Sequence, residues 1–227
     1  MPPLNSRVSR QMHTSEEALQ SIYLATIAES MSRLRAAQAF LVAYGETAHV
    51  PELEAAILQI RIAFETVAMA AIAPNRSAYE SFRAKADEQP DYRKDYHAAK
   101  ILRALGKINK NFYPIPLLPA AKQTDGTFHF GRKPTGYLTR KRFEALYDRF
   151  GKHLHADNPW GNNKNLQNLA SELPGAIAEL WGLIALHATF IQTPEFNGAW
   201  VVEAGVDGAT PRVITGLALG EFAVVDG

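Results

Sequence analysis

Residues 53–73 are apolar on almost every side of a helix, and this run constrains the fold more than any other part of the chain. A helix without a polar face must be enclosed, by lipid or by other protein elements. The run is long enough to span a bilayer. Gln59, Arg61 and Glu65 interrupt its middle, however, where charge in lipid is costly, so the run reads as a buried helix of a soluble protein. At 227 residues the chain can supply the surrounding layers.

Those layers are expected to be helices. Ser15, followed by Glu16 and Glu17, caps a helix whose apolar positions Leu19, Ile22, Tyr23, Ile27, Met31 and Leu34 recur at helical spacing as far as about Tyr44. Gly45 and Pro51 punctuate, and the buried helix closes at Pro74-Asn75. A third helix is expected over 91–107. Three prolines then break residues 109–119, which should cross the surface. Residues 120–137 read as a loop or a two-stranded excursion around Thr127-Phe128-His129-Phe130. Thr139 caps a fourth helix, stopped by Asp157-Asn158-Pro159, with Phe143, Leu146, Tyr147, Phe150 and Leu154 as its apolar stripe. A fifth helix should begin near Leu166, and a sixth near Pro174.

After about residue 186 the pattern changes. Thr189-Phe190-Ile191, Trp200-Val201-Val202, Arg212-Val213-Ile214 and Phe222-Ala223-Val224-Val225 are β-prone, and Asn197-Gly198, Asp207-Gly208 and Gly216 mark turns between them. The expected architecture is mainly α: a polar, disordered lead over 1–14, a helical bundle over 15–185, and a small antiparallel β meander over 186–227 packed on the bundle.

Charge is unevenly distributed. Residues 93–152 hold 14 Lys/Arg against 4 Asp/Glu, while the rest of the chain holds 10 against 19. Such separation favours a polyanionic partner, most commonly a nucleic acid. The basic stretch ends in Arg149-Phe150-Gly151-Lys152-His153-Leu154-His155. There is no cysteine, so disulfides, thiol nucleophiles and cysteine-bound zinc are excluded. Residues 1–14 lack the apolar centre of a secretory signal, and a cytoplasmic location is expected. No glycine-rich phosphate loop, serine-hydrolase elbow or paired-histidine metal motif is present. Asp157, close to His153 and His155, lacks the further carboxylates that a metal site would need.

On the fourth helix, Arg142, Arg149 and His153 fall along one flank of the apolar stripe, at roughly −100°, −120° and −80° from Phe143. His155 falls on the opposite flank if the helix stays regular past Gly151. Arg140, Lys141 and Arg142 occupy the first turn, where the helix dipole disfavours cations, and an anion there would explain them. Lys152 and Trp160 extend the basic and aromatic surface. Phe128, Phe130 and Trp160 are candidates for stacking on unpaired bases. Arg61 and Glu65, four residues apart, read as a structural pair.

The buried helix with Arg61 and Glu65, the basic third helix leading to Ile108-Asn109-Lys110-Asn111-Phe112-Tyr113-Pro114, and Arg149 with His155 six residues beyond it, five lying between, together resemble the HEPN superfamily over about residues 50–160. The resemblance implies an α-helical bundle, usually a homodimer. Active members are metal-independent endoribonucleases of toxin–antitoxin and phage-defence systems, and others are binding modules without activity. A polar residue commonly follows the family's arginine; here it is Phe150.

By that resemblance His155, with His153 as its substitute, would move the proton of an RNA 2′-hydroxyl or of the departing 5′-oxygen. Arg149 would steady the developing phosphate charge. Arg140, Lys141, Arg142, Lys152 and Trp160 would hold the RNA. No metal or cofactor is expected, nor any membrane. The rival expectation is an inactive helical module that binds a nucleic acid, or a protein such as an antitoxin, through the same face.

Overall fold

The structure is a computed structural model that describes residues 4–87, 90–155, 160, 165–192, 197–205 and 210–217, with side chains described from residue 16 onward. Helix α1 spans Leu4–Thr47, and α2 spans Val50–Ala70. Between them Ala48 takes a left-handed conformation, φ 55°, and its amide donates to the Tyr44 carbonyl, 2.8 Å. Pro51 sits in the first turn of α2, where its missing N–H costs nothing.

Helix α1 starts well before the expected cap at Ser15, so residues 4–14, expected as a disordered lead, carry helical backbone. No glycine or proline lies between Leu4 and Tyr44 to interrupt it. Gly45, expected to end the helix, lies inside it. Tyr23, Ile27, Met31, Leu34 and Ala37 form the buried face of α1. Alanines 56, 63, 68 and 70 of α2 let neighbouring backbones come close, and the buried Ser30 hydroxyl donates to the Ala63 carbonyl, 3.1 Å. The α2 region is apolar enough to cross a membrane by length and composition, yet 56% of the qualifying window is buried inside the protein. It is the core of the bundle.

Helix α3, Arg76–Arg83, has no counterpart in the sequence reading, because it is eight residues long and buries only Tyr79. Helix α4 is Ala98–Ile108, shorter than the expected 91–107. Asp91 instead caps a separate single turn over Tyr92–Lys94, its carboxylate accepting from the Arg93 amide at 3.1 Å. Strand β1, Ile115–Pro116, corrects the expected surface crossing of 109–119. Phe112, Pro114, Pro116 and Leu117 are buried. Its proline is tolerated because β1 lies at the edge of the sheet, where β4 is its one strand neighbour among the described residues.

Strands β2, Ala121–Lys122, and β3, Phe128–His129, form the expected two-stranded excursion. Helix α5, Arg140–His153, starts at the Thr139 cap as expected. Its stop at 157–159 lies outside the described residues. Helix α6, Leu166–Ile184, is continuous through Pro174, where two helices were expected. Pro174 and Gly175 lie on its exposed face, where solvent is at hand for the carbonyl that loses its partner. Leu169, Leu173, Ala176, Ile177, Leu180, Leu183 and Ile184 on the other face hold the helix to the core.

Strands β4 (Leu186–Gln192), β5 (Asn197–Glu203) and β6 (Arg212–Leu217) complete an antiparallel sheet in the order β1-β4-β5-β6. Asn197-Gly198 is not a turn: Asn197 pairs with Gln192 and Gly198 with Ile191. Gly216 likewise lies within β6, opposite Ala199. The observed register sets Trp200 opposite Thr189 and Val202 opposite His187, all four buried, and that burial outweighs the local turn preference. The expected strand at 222–225 and turn at 207–208 lie outside the described residues.

The sheet packs on α1. The Tyr23 ring meets Trp200 edge-on with centroids 5.9 Å apart, and its hydroxyl lies 2.7 Å from His187 Nε2. Asn109, at the end of α4, ties the corner after α2 to the sheet: its amide group donates to Asn75 Oδ1 and to the Phe190 carbonyl, each at 3.0 Å.

Candidate nucleic-acid interface

Helix α5 carries most of the expected site, and its apolar stripe fixes which way the rest points. Phe143, Leu146, Tyr147 and Phe150 are buried. Phe64 of α2 meets Phe143 at 4.4 Å and Phe150 at 6.0 Å between ring centroids. Phe150, standing where the HEPN resemblance leads one to expect a polar residue, is therefore a core side chain. Its position turns Arg149 outward.

The cations of the first turn have partners. Arg140 pairs with Glu144 one turn on, 3.2 Å, and its guanidinium lies 5.0 Å from the Phe112 ring centre. Arg142 pairs with Glu179 of α6. Lys141 is exposed. These carboxylates offset the dipole penalty that the sequence poses.

At the other end, Arg149 Nη1 lies 3.0 Å from Glu172 Oε2, and the Arg149 side chain stays 45% exposed. Arg142 and Arg149 are seven residues apart on α5, as Glu172 and Glu179 are on α6, and the order is reversed. Two ion pairs thus bridge antiparallel helices along the flank expected from the helix angles. His153, the last residue of α5, is partly buried. His155 is two residues beyond the helix and exposed, as are Lys152 and Trp160. Exposed Phe128 stands apart from α5, on the β2–β3 excursion with Phe130. Asp157 lies outside the described residues.

A polar cluster at the same end of α5 was legible only in part. Arg61 and Glu65 of α2 do face each other, Nε to Oε1 3.5 Å. Tyr147 completes them: its hydroxyl donates to Glu65 Oε1 at 2.8 Å and accepts from Arg61 Nη2 at 3.0 Å. Arg61 Nη1 also donates to the Tyr147 carbonyl, 3.1 Å. The guanidinium lies 4.2 Å from the Tyr147 ring centre.

Gly151 makes room for this, since a Cβ there would sit 2.2 Å from Arg61 Nη1. The edge of His97, which precedes α4, meets the Tyr147 ring at 5.2 Å between centroids. Burial first, then the hydrogen bond to and charge of Glu65, push the Tyr147 hydroxyl up to about 12, so it stays protonated. Tyr147 sits in the apolar stripe, and nothing in its spacing marks it as polar machinery.

Two cavities flank α4 and α5. One, of about 650 Å³, is lined by residues of both signs, among them Arg83, Lys94, Asp95, His97 and Lys100. Within it Tyr79 donates to Asp95, 2.8 Å, and Asp95 holds Arg83, 2.9 Å. The other, of about 320 Å³, lies at the start of α5 and is lined by Lys110, Arg132, Lys133 and Arg140 with Tyr113 and Tyr137.

The fold and these side chains define a mainly helical protein with a small antiparallel sheet and a basic helix at its surface. Against family models, curated proteins and solved structures alike, the chain has no match.

Proposed function

We propose that this chain is a HEPN-type, metal-independent endoribonuclease, cytoplasmic and acting as a homodimer, in a setting of toxin–antitoxin or phage defence. The observation that carries the reading is the accessibility of the Arg149–His155 end of α5: Arg149 is 45% exposed and His155 is exposed. An imidazole open to solvent can reach an RNA 2′-hydroxyl or departing oxygen, and a guanidinium six residues earlier in the chain can hold phosphate charge. Arg140, Lys141, Arg142, Lys152 and Trp160 lie on or just after the same helix and would guide the strand.

One observation favours the rival, an inactive module that binds RNA or a protein such as an antitoxin. Arg142 and Arg149 already have carboxylate partners, so a phosphate must displace Glu179 and Glu172 to reach them. Incubation of the protein with single-stranded RNA in EDTA separates the two readings. Cleavage that vanishes in a folded His155→Ala variant supports the nuclease. Salt-dependent binding without turnover supports the module.

A further inference from the structure

We propose that the 320 Å³ cavity at the start of α5 is a binding site for a phosphate ester of about mononucleotide size. Lys110, Arg132, Lys133 and Arg140 line it, and among the described residues no carboxylate does. Arg140 is partly offset by Glu144, which stands outside the lining, and Arg132 has a partner of its own, so the excess positive charge rests on Lys110 and Lys133. Like charges gathered in a concave site raise one another's energy, and a bound anion relieves that cost. Tyr113, Tyr137 and Pro114 supply apolar wall. The volume lies at the low end of small-molecule sites, enough for a phosphate with a sugar-sized body attached.

The walls are fixed in advance. The Lys133 amide donates to the Pro116 carbonyl, 2.9 Å, and the Leu118 amide to the Gly131 carbonyl, 2.7 Å, with Leu117 and Arg132 bridged between them. The Tyr113 hydroxyl donates to the Leu138 carbonyl, 2.8 Å, closing the opposite wall. Across the loop, a Cβ on Gly182 of α6 would lie 2.0 Å from the Gly136 carbonyl oxygen, so the 133–136 loop is pressed onto α6. Binding here orders little backbone, and less of the interaction energy is lost to entropy.

The site is independent of the nuclease reading. It lies at the N-terminal end of α5, a 14-residue helix, about 20 Å from the histidine end. The phosphate could belong to a free nucleotide or to a single-stranded RNA. Titration calorimetry with adenosine 5′-monophosphate and with inorganic phosphate reads the site without any cleavage step. Saturable binding of the nucleotide is expected, with competition from inorganic phosphate.

The double variant Lys110→Gln/Lys133→Gln should raise the Kd at least tenfold with an unchanged circular dichroism spectrum, while Lys85→Gln, on an exposed residue away from the cavity, should not. An RNA octamer that displaces the nucleotide assigns the phosphate to RNA; nucleotide binding that RNA leaves untouched assigns it to a free ligand. Absence of binding by either phosphate probe at millimolar concentration, or equal affinity in the double variant, overturns the proposal.

Discussion

Arg149 reaches from α5 to Glu172 of α6, 3.0 Å, and Arg142 repeats the contact with Glu179 two turns away. The pairs are partly exposed, so each contributes at most about 1 kcal/mol to stability. Their larger effect is on the field: carboxylates beside the arginines weaken the attraction of that flank for phosphate. Removing them should strengthen it. Glu172→Gln/Glu179→Gln is expected to tighten single-stranded RNA binding several-fold at low salt, read by fluorescence anisotropy, with a steeper salt dependence and a melting temperature little changed. Unchanged affinity would place the RNA on another face.

The stripe of α5 and the unbroken apolar run of α2 were legible because period and burial agree there. The flank shared by Arg142 and Arg149 was legible for the same reason. That this flank meets glutamates of α6 was not, since no local rule relates residues thirty-seven positions apart such as Arg142 and Glu179. Asn197-Gly198 misled because a turn preference of local origin yields to the burial of Trp200 and Val202. Pro174 misled because a proline can lie inside a helix when the opposite face holds it to a core. The Tyr147 hydroxyl escaped notice because a tyrosine in an apolar stripe presents only its ring to sequence periodicity.

Tyr147 joins α2 to α5 through both its hydroxyl and its carbonyl. Tyr147→Phe keeps the ring and deletes the hydrogen bonds to Glu65 and from Arg61, at an expected cost of about 1–2 kcal/mol. Arg61→Ala should cost more, about 3 kcal/mol, because it also empties the space against the ring and leaves the Glu65 carboxylate partly buried without its cation. Urea unfolding of the two variants measures the order, and a larger loss for Tyr147→Phe would contradict it.

Two glycines of α6 should respond in opposite directions to the same change. Gly175 has nothing within 4 Å of a Cβ position, so Gly175→Ala gains helix propensity and is expected to stabilise by about 0.5–1 kcal/mol. Gly182 faces the Gly136 carbonyl oxygen at 2.0 Å from that position, and backbone cannot swing aside. Gly182→Ala should therefore destabilise by about 2–3 kcal/mol. Denaturation midpoints decide it, and loss of stability in both would mean that the exposed face of α6 is less open than its geometry indicates.

His187 ties acid stability to the α1–sheet contact. It is buried with Nδ1 2.9 Å from the Ile184 carbonyl and Nε2 2.7 Å from the Tyr23 hydroxyl, an arrangement that the neutral ring satisfies by donating at Nδ1 and accepting at Nε2. Burial pushes its pKa down to about 4 from the ordinary 6.5, partly opposed by the Ile184 carbonyl. Between those values the unfolded chain takes up a proton that the folded one refuses, so stability falls as pH drops through the window from about 6.5 to 4. The full loss from this group is about 3 kcal/mol, and above pH 7 it contributes no slope. Carboxylates titrate in the lower part of the same range, so the comparison that isolates the histidine is with His187→Leu. The variant should be less stable at pH 7, because the Tyr23 hydroxyl loses its acceptor, yet its unfolding free energy should fall less steeply from pH 6.5 to 4.5. Parallel slopes for the two proteins, measured by urea unfolding across that range, would show that the imidazole protonates without breaking its place beneath the sheet.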